Sequence, residues 1–237
     1  MFVILLSGTV EYFVKSTEDL LFPRPIPTTS GFTSVPTNIG SVQNRGVDIL
    51  LNAQIFRRGD FKWDISLNAS YLENEVLELF NNQPIDYGFA TRLAEGQPIG
   101  AFFGYVTDGI FQNQEEVEQH AMQPGAAPGD FRFKDISGGA GPDGILNTAD
   151  DLEPDGVIND ADRTFVGSAL PDWQGGFGSN MSYKGFSLNV YFQYSVGNDV
   201  YNNNLAFAEG LNSVFAPTQR AFESAWREEG DGDDIPR

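Results

Sequence analysis

Apolar and polar residues alternate with a period of two over several long stretches of this chain. Val47, Ile49, Leu51, Ala53 and Ile55 fall on one face of the first stretch, and Asp48, Asn52 and Gln54 on the other, with Leu50 the exception. In the second, Phe61, Trp63, Ile65, Leu67, Ala69 and Tyr71 alternate with Lys62, Asp64, Ser66, Asn68 and Ser70. Arg57-Arg58-Gly59-Asp60 supplies a tight turn between them, so the pair reads as a hairpin with one apolar and one polar face. Further on, Phe186, Leu188, Val190, Phe192, Tyr194 and Val196 alternate with Ser187, Asn189, Tyr191, Gln193 and Ser195. Their partner runs from Trp173 to Tyr183 and joins them through Lys184-Gly185. Its glycines weaken it by propensity. Val10, Tyr12 and Val14 are a shorter instance, and Met1 to Leu6 reads as the inner part of a strand.

Between these elements the pattern breaks. Residues 22–40 carry Pro23, Pro25, Pro27 and Pro36 with Gly31 and Gly40, which predicts an extended, irregular connection. Residues 81–170 hold short apolar pieces such as Ile99 to Val106 and a helical turn near Gln114–Gln119. They read as a long insertion between hairpins.

A soluble β-sandwich and a membrane barrel both alternate, and periodicity alone leaves the two open. Aromatic residues near the strand ends (Phe61 and Tyr71, Trp173 and Tyr183) add to the barrel side. So do strands of about 10 residues joined by short turns. No apolar run approaches the roughly 20 residues of a spanning helix, so a membrane would be crossed by strands.

Charge and composition narrow the partners. The 237 residues carry a net charge of −19, with 33 acids against 14 bases, which repels a nucleic-acid backbone. With no cysteine there is no disulfide or thiolate site, and the single histidine, His120, disfavours zinc. His120 lies in a polar run and is expected at the surface.

An acidic repeat is the candidate chemistry. Asp143-Gly144-Ile145-Leu146-Asn147 with Asp150 is echoed 12 residues later by Asp155-Gly156-Val157-Ile158-Asn159 with Asp162. Eight carboxylates stand between Asp135 and Asp162 with no Lys or Arg among them. A hard cation with oxygen ligands would relieve their repulsion, and Ca²⁺ is the first candidate. In EF-type spacing the ligands are Asp151, Glu153, Asp155, the Val157 carbonyl, Asn159 and Asp162; Asp143, Asn147 and Asp150 offer a second set. The alternative is a solvated acidic loop with Asx turns, which Asp-Gly pairs form by default. Asp172-Trp173 reads as an interfacial aromatic rather than a sugar platform. Asp199 to Asn204 reads as a strand-connecting turn, and Glu228 to Asp234 as an exposed acidic loop.

Several blocks, in order, resemble the SusC/RagA-like TonB-linked outer-membrane receptors. They are Asn38-Ile39-Gly40, Gln43-Asn44-Arg45-Gly46-Val47-Asp48, Gly96-Gln97-Pro98-Ile99-Gly100 with Phe103-Gly104-Tyr105, Gly109-Ile110-Phe111-Gln112, and Pro128-Gly129-Asp130-Phe131-Arg132-Phe133. Asp155 to Arg163, Gly167, Pro171, Gly175-Gly176, Gly197-Asn198-Asp199-Val200-Tyr201-Asn202, Trp226 and Ile235-Pro236-Arg237 follow. The resemblance implies uptake of oligosaccharides or other large nutrients across the outer membrane of a Gram-negative bacterium. A SusD-like surface lipoprotein and TonB are the implied partners, and no catalysis is implied. The family's receptors carry a plug, a TonB-contacting segment and a barrel of about 22 strands. This chain is therefore expected to be a C-terminal barrel fragment without plug or final strands. The expected fold is all-β: antiparallel strands of a partial outer-membrane barrel, an open curved sheet, as one domain over 1–237 with 81–170 as a long extracellular loop. Two other readings compete with the receptor: a soluble secreted calcium-binding β module and a secreted glycan-active enzyme.

Overall fold

The period-two stretches are strands. The computed structural model describes residues 5–38, 40–210, 216–232 and 234–237. The chain runs through β1 (Leu5–Thr17), β2 (Leu21–Pro25), β3 (Ser34–Asn38), β4 (Gly40–Arg58), β5 (Phe61–Leu79), β6 (Ile85–Tyr87), β7 (Thr91–Leu93), β8 (Ala101–Tyr105) and β9 (Thr107–Ile110). Then come α1 (Gln114–Gln119), β10 (Phe131–Phe133), β11 (Arg163–Ser168), β12 (Trp173–Tyr183), β13 (Phe186–Val196), α2 (Asn203–Glu209) and α3 (Gln219–Ser224). The strand expected over Met1 to Leu6 lies partly outside the described residues; Leu5 and Leu6 open β1.

The chain divides into two compact units, Met1–Phe102 with Gly167–Asp199, and Phe103–Val166 with Val200–Arg237. The first is built on a five-stranded sheet in the order β1-β4-β5-β12-β13. Every neighbouring pair in it is antiparallel, so the sheet is an open up-and-down meander. Two of its connections are two-residue turns. Gly59-Asp60 joins β4 to β5 with Gly59 at φ +60°. Lys184-Gly185 joins β12 to β13 with both residues at positive φ (44° and 85°), the combination a type I′ turn requires. Both turns lie at one end of the sheet. The long connections, residues 18–39 and 80–172, leave from the other.

β4 and β5 have 19 residues each, against 11 in β12 and β13, so the β4–β5 ribbon outruns those two strands at the long-connection end. There Val42, Val76, Leu79 and Leu93 form a small core, backed by Leu20, Ile85 and Tyr87. The proline-rich stretch is not irregular as expected: β2 and β3 pair antiparallel, with Pro23 opposite Pro36. A two-stranded ribbon has only edge strands, where a missing N–H can face outward, so proline is tolerated.

The second unit has its own core, centred on Phe103, Ile110, Phe111 and Ile158, with a smaller cluster of Ala221, Ala225 and Ile235. Rings dominate it: Phe103 meets Phe165 edge-on at 5.2 Å, and Tyr105 stacks on Phe133 at 4.9 Å. The helical turn at Gln114–Gln119 is present, capped by the Asn113 side chain accepting from Glu116 N–H at 2.9 Å. His120 departs from expectation. It is half-buried, its Nε2 lies 2.8 Å from the Phe133 carbonyl, and its ring meets Phe111 edge-on at 5.3 Å. Its polar neighbours on α1 face out while the helix end turns the imidazole inward.

Candidate functional site

The sheet of the first unit has two chemically distinct faces, and strand register makes each continuous. Across the five strands, Val10 aligns with Ile49, Tyr12 with Val47, and Leu6 with Ala53. Val47 aligns with Tyr71, Leu51 with Leu67, and Ala53 with Ile65. Tyr71 aligns with Trp173, Leu67 with Phe177, Trp63 with Met181, and Phe61 with Tyr183. Trp173 aligns with Val196, Phe177 with Phe192, Met181 with Leu188, and Tyr183 with Phe186. The opposite face carries rows such as Glu11, Asp48, Ser70, Gln174 and Ser195. Phe186 is 81% exposed, Val10 69% and Phe192 62%, so nothing among the described residues covers the apolar face at its margins.

The apolar face has the dimensions of a bilayer core. Phe61 to Tyr71 spans about 34 Å along the strand. Tilted by about 40°, as barrel strands are, this becomes about 26 Å, close to the roughly 25 Å apolar band of an outer-membrane barrel. Aromatic residues bound it: Tyr12, Tyr71 and Trp173 at one end, with Tyr71 and Trp173 rings 5.1 Å apart, and Phe61, Tyr183 and Phe186 at the other. Trp173 thus occupies the interfacial place read from the sequence.

One polar group on this face is already satisfied. Trp63 donates its indole N–H to Ser179 Oγ at 3.0 Å, and Ser179 is only 8% exposed. In hydrocarbon a backbone or side-chain donor must find its partner within the protein. Ser179→Ala should therefore cost about 1–2 kcal/mol in a lipid-inserted state, read from urea unfolding in vesicles. Sequence inspection missed the pair; a lone serine within an apolar register next to a tryptophan was its signal.

The glycines of β12 have a use. Tyr191, on the polar face of β13, lies over Gly176, where a Cβ would collide with its phenol end, and its ring reaches Gly178 at van der Waals distance. Tyr194, on the apolar face, lies in the same way over Gly175. Aromatic rings thus fill the space the glycines leave and restore the packing they forfeit. The polar side opens into a groove of about 640 Å³ lined by Asn68, Ser70, Gln174, Tyr191, Gln193 and Ser195 among others. Asn68 Nδ2 donates to Tyr191 Oη at 3.3 Å.

The acidic repeat forms a hydrogen-bonded loop in the second unit. Both copies make the same Asx turn: Asp143 Oδ1 accepts from Ile145 N–H at 2.8 Å, and Asp155 Oδ1 from Val157 N–H at 2.9 Å. Gly144 (φ 70°) and Gly156 (φ 83°) occupy the left-handed region that each turn needs. The copies then diverge. Asn147 donates its N–H to Asp151 Oδ2, and Asp150 accepts from Thr148 Oγ1 and Asp143 N–H. Asn159 and Asp162 instead make a capping box on a short 3-10 turn. Asp162 has no solvent exposure; Oδ1 accepts from Ile136 and Ser137 N–H and Oδ2 from Asn159 N–H. The Val157 carbonyl accepts from Asn159 Nδ2, and Glu153 is exposed. Among the described residues no group of three or more Asp, Glu or His side chains is placed to hold a metal ion. The predicted ligands share one loop, but those that pair do so with backbone, hydroxyl or amide donors. Asp135 accepts from Gly156 N–H through Oδ2, while its Oδ1 is buried without a partner.

The Thr148 hydroxyl, ahead of the Asp143 amide, holds the Asp150 carboxyl below the usual carboxylate range. A depressed folded-state pKa stabilises above the unfolded value, and that stability is lost as pH falls through the folded one. The protection of the Asp143 amide against exchange, relative to its intrinsic rate, should therefore fall below about pH 4 and hold steady above it.

The blocks that carry the family resemblance hold chain crossings together. Asp199 receives the Ser168 N–H at 2.9 Å, and a Cβ on Gly167 would collide with its carboxylate. Asn202 caps α2 by accepting from Leu205 N–H at 3.0 Å. Arg45 pairs with Glu73, and Asn74 bridges Asn44 and the Ile99 N–H. Trp226 covers Gly129 and donates to Gln112 Oε1 at 3.2 Å, while Arg237 pairs with Asp130 at 2.9 Å.

No protein-family model matches the chain. It is 34% identical over 246 residues to TonB-dependent receptor P39 of Formosa agariphila, covering 95% of this chain and 24% of the receptor. It is 32% identical over 242 residues to TonB-dependent receptor P3 of the same organism (98% and 22%), and 27% over 207 residues to TonB-dependent receptor SusC of Bacteroides thetaiotaomicron (85% and 18%). Among solved structures it superposes on a chain of the RagAB peptide transporter with a TM-score of 0.73 at 26% identity, covering 98% of this chain and 23% of that one. A chain of the RagAB peptide importer in its closed-closed state gives a TM-score of 0.68 at 26% identity (98% and 25%). The chain thus spans about a quarter or less of the length of the proteins it matches. A two-faced antiparallel sheet of bilayer height, in a sequence aligned almost end to end with these receptors, belongs to the SusC/RagA-like TonB-dependent receptors of the Gram-negative outer membrane.

Proposed function

We propose that this chain is a section of barrel wall and extracellular loop in a receptor that imports large nutrients, oligosaccharides or peptides, with a SusD-like lipoprotein at the surface and energy from TonB. The observation that carries it is the apolar face, continuous over five strands and bounded by aromatic rings, backed by a polar face. Two-residue turns at one end and long connections at the other match periplasmic turns and extracellular loops. The relatives' names, SusC and the RagAB peptide transporter, support a receptor rather than an enzyme or a soluble module. The groove of amides, hydroxyls and two tyrosines offers uncharged hydrogen-bonding groups suited to glycan hydroxyls or peptide amides. Deleting the gene and growing the strain on single oligosaccharides or peptides tests this: loss of growth on one class, with co-purification of a surface lipoprotein, is expected. Unchanged growth on every polymer would overturn it.

Structural Ca²⁺ in the acidic loop is a second proposal. It is supported by eight carboxylates without a Lys or Arg between Asp135 and Asp162, and by the buried, unpartnered Asp135 Oδ1. The ion would take Asp135 Oδ1 together with Asp151 and Asp155, and leave the Asp162 carboxylate on its three backbone donors. Calorimetry should show binding at millimolar Ca²⁺ that Asp155→Ala weakens. No heat would leave the loop held by hydrogen bonds alone.

A further inference from the structure

The short-turn end of the sheet keeps a positive balance in a chain of net charge −19, four bases against the carboxylates of Asp60 and Asp64. Arg57, Arg58, Lys62 and Lys184 gather there, four of the chain's 14 bases. The register separates them by face. Arg57 lies opposite Lys62 on the polar side, where Arg57 has a carboxylate partner, Asp64 at 3.5 Å. Arg58 lies opposite Phe61 on the apolar side. From there one row continues through Tyr183 to Phe186, and Lys184 follows in the turn with its Nζ 5.4 Å from the Tyr183 ring centre. Arg58 and Lys184 are exposed, and among the described residues neither forms an ion pair.

We propose that this apolar-side rim, Arg58 and Lys184 flanking Phe61, Tyr183 and Phe186, binds the phosphate headgroup of an anionic phospholipid in the periplasmic leaflet. The proposal rests on the outer-membrane assignment, which sets this face against lipid and this end toward the periplasm. Two unpaired cations at the edge of the hydrocarbon band match a phosphate at headgroup depth. Guanidinium binds it in a planar fork and ammonium as a point charge. The rings occupy the interface just inside, where aromatic side chains sit in membranes. At the other end of the same face the cation Arg45 is spent on Glu73, so the asymmetry selects one leaflet.

The test uses nanodiscs of phosphatidylcholine with a minority of phosphatidylglycerol, and native mass spectrometry of the lipid that stays with the protein. Phosphatidylglycerol should be enriched several-fold over the disc's bulk ratio. The double variant Arg58→Gln/Lys184→Gln should return to the bulk ratio. Arg57→Gln/Lys62→Gln removes the same charge from the polar face and should keep the enrichment. About 1 M salt, where the Debye length is about 3 Å, should reduce it. No enrichment, or equal loss in both double variants, overturns the proposal. Failure to insert into pure phosphatidylcholine discs would instead overturn the membrane assignment, and so is read separately.

Discussion

Asp162→Ala should destabilise the second unit by about 3–5 kcal/mol. The carboxylate has no solvent exposure and takes three backbone N–H groups, from Ile136, Ser137 and Asn159. Removing it leaves three donors without an acceptor, and each orphaned buried donor costs about 1–3 kcal/mol. Partial hydration of the vacated space brings the sum to the lower part of that range. Asp162→Asn keeps one acceptor but turns an amide toward a backbone donor, so it should recover only part of the loss. Asp160→Ala, on the exposed flank of the same turn, is the control and should cost little. Denaturant unfolding followed by the signal of Trp226, which packs on Gly129 in this unit, reads the difference. Equal stability for the Asp160 and Asp162 variants would show that the capping box holds nothing.

The second large effect belongs to the membrane face. Val190→Arg should cost about 2–4 kcal/mol near mid-bilayer, while Asn189→Arg should cost little. The two residues are neighbours on one strand and differ only in face: Val190 aligns with Ser179 on the apolar side, Asn189 with Asn180 on the polar side. Propensity, distance from the turns and added charge are therefore the same in both variants. Unfolding from lipid vesicles by urea gives the two costs, and equal costs would show that the faces do not divide lipid from lumen.

The strands were legible because one face of each is apolar, and a period of two survives wherever that holds. Phe61 to Tyr71 and Phe186 to Val196 came out as predicted for this reason. The β2–β3 ribbon was not legible, since its prolines obey edge-strand rules that local reading takes as irregularity. The core around Phe103, Phe111 and Ile158 was hidden because it is assembled from short segments far apart in sequence, each too brief to show a period. His120 turned inward through one carbonyl and one ring, neither of which its neighbours announce. In the acidic loop, the Asp-Gly turns followed from local chemistry, but the destination of the Asp162 carboxylate depended on Ile136 and Ser137, which spacing cannot reveal.

The meander's connectivity also sets an order of events in folding. β4 with β5, and β12 with β13, close over two-residue turns, whereas β5 meets β12 only after residues 80–172 have been looped out. The chain-entropy cost of that closure exceeds a short turn's by about 3 kcal/mol for a flexible loop. The two hairpins should therefore form within microseconds to tens of microseconds of one another, and their union should be the slow step. Prior folding of the intervening segment shortens the effective loop and lowers this barrier. A mutation that weakens the Phe103–Ile158 core should then slow assembly of a sheet to which it contributes no strand-pairing hydrogen bond of β5 to β12.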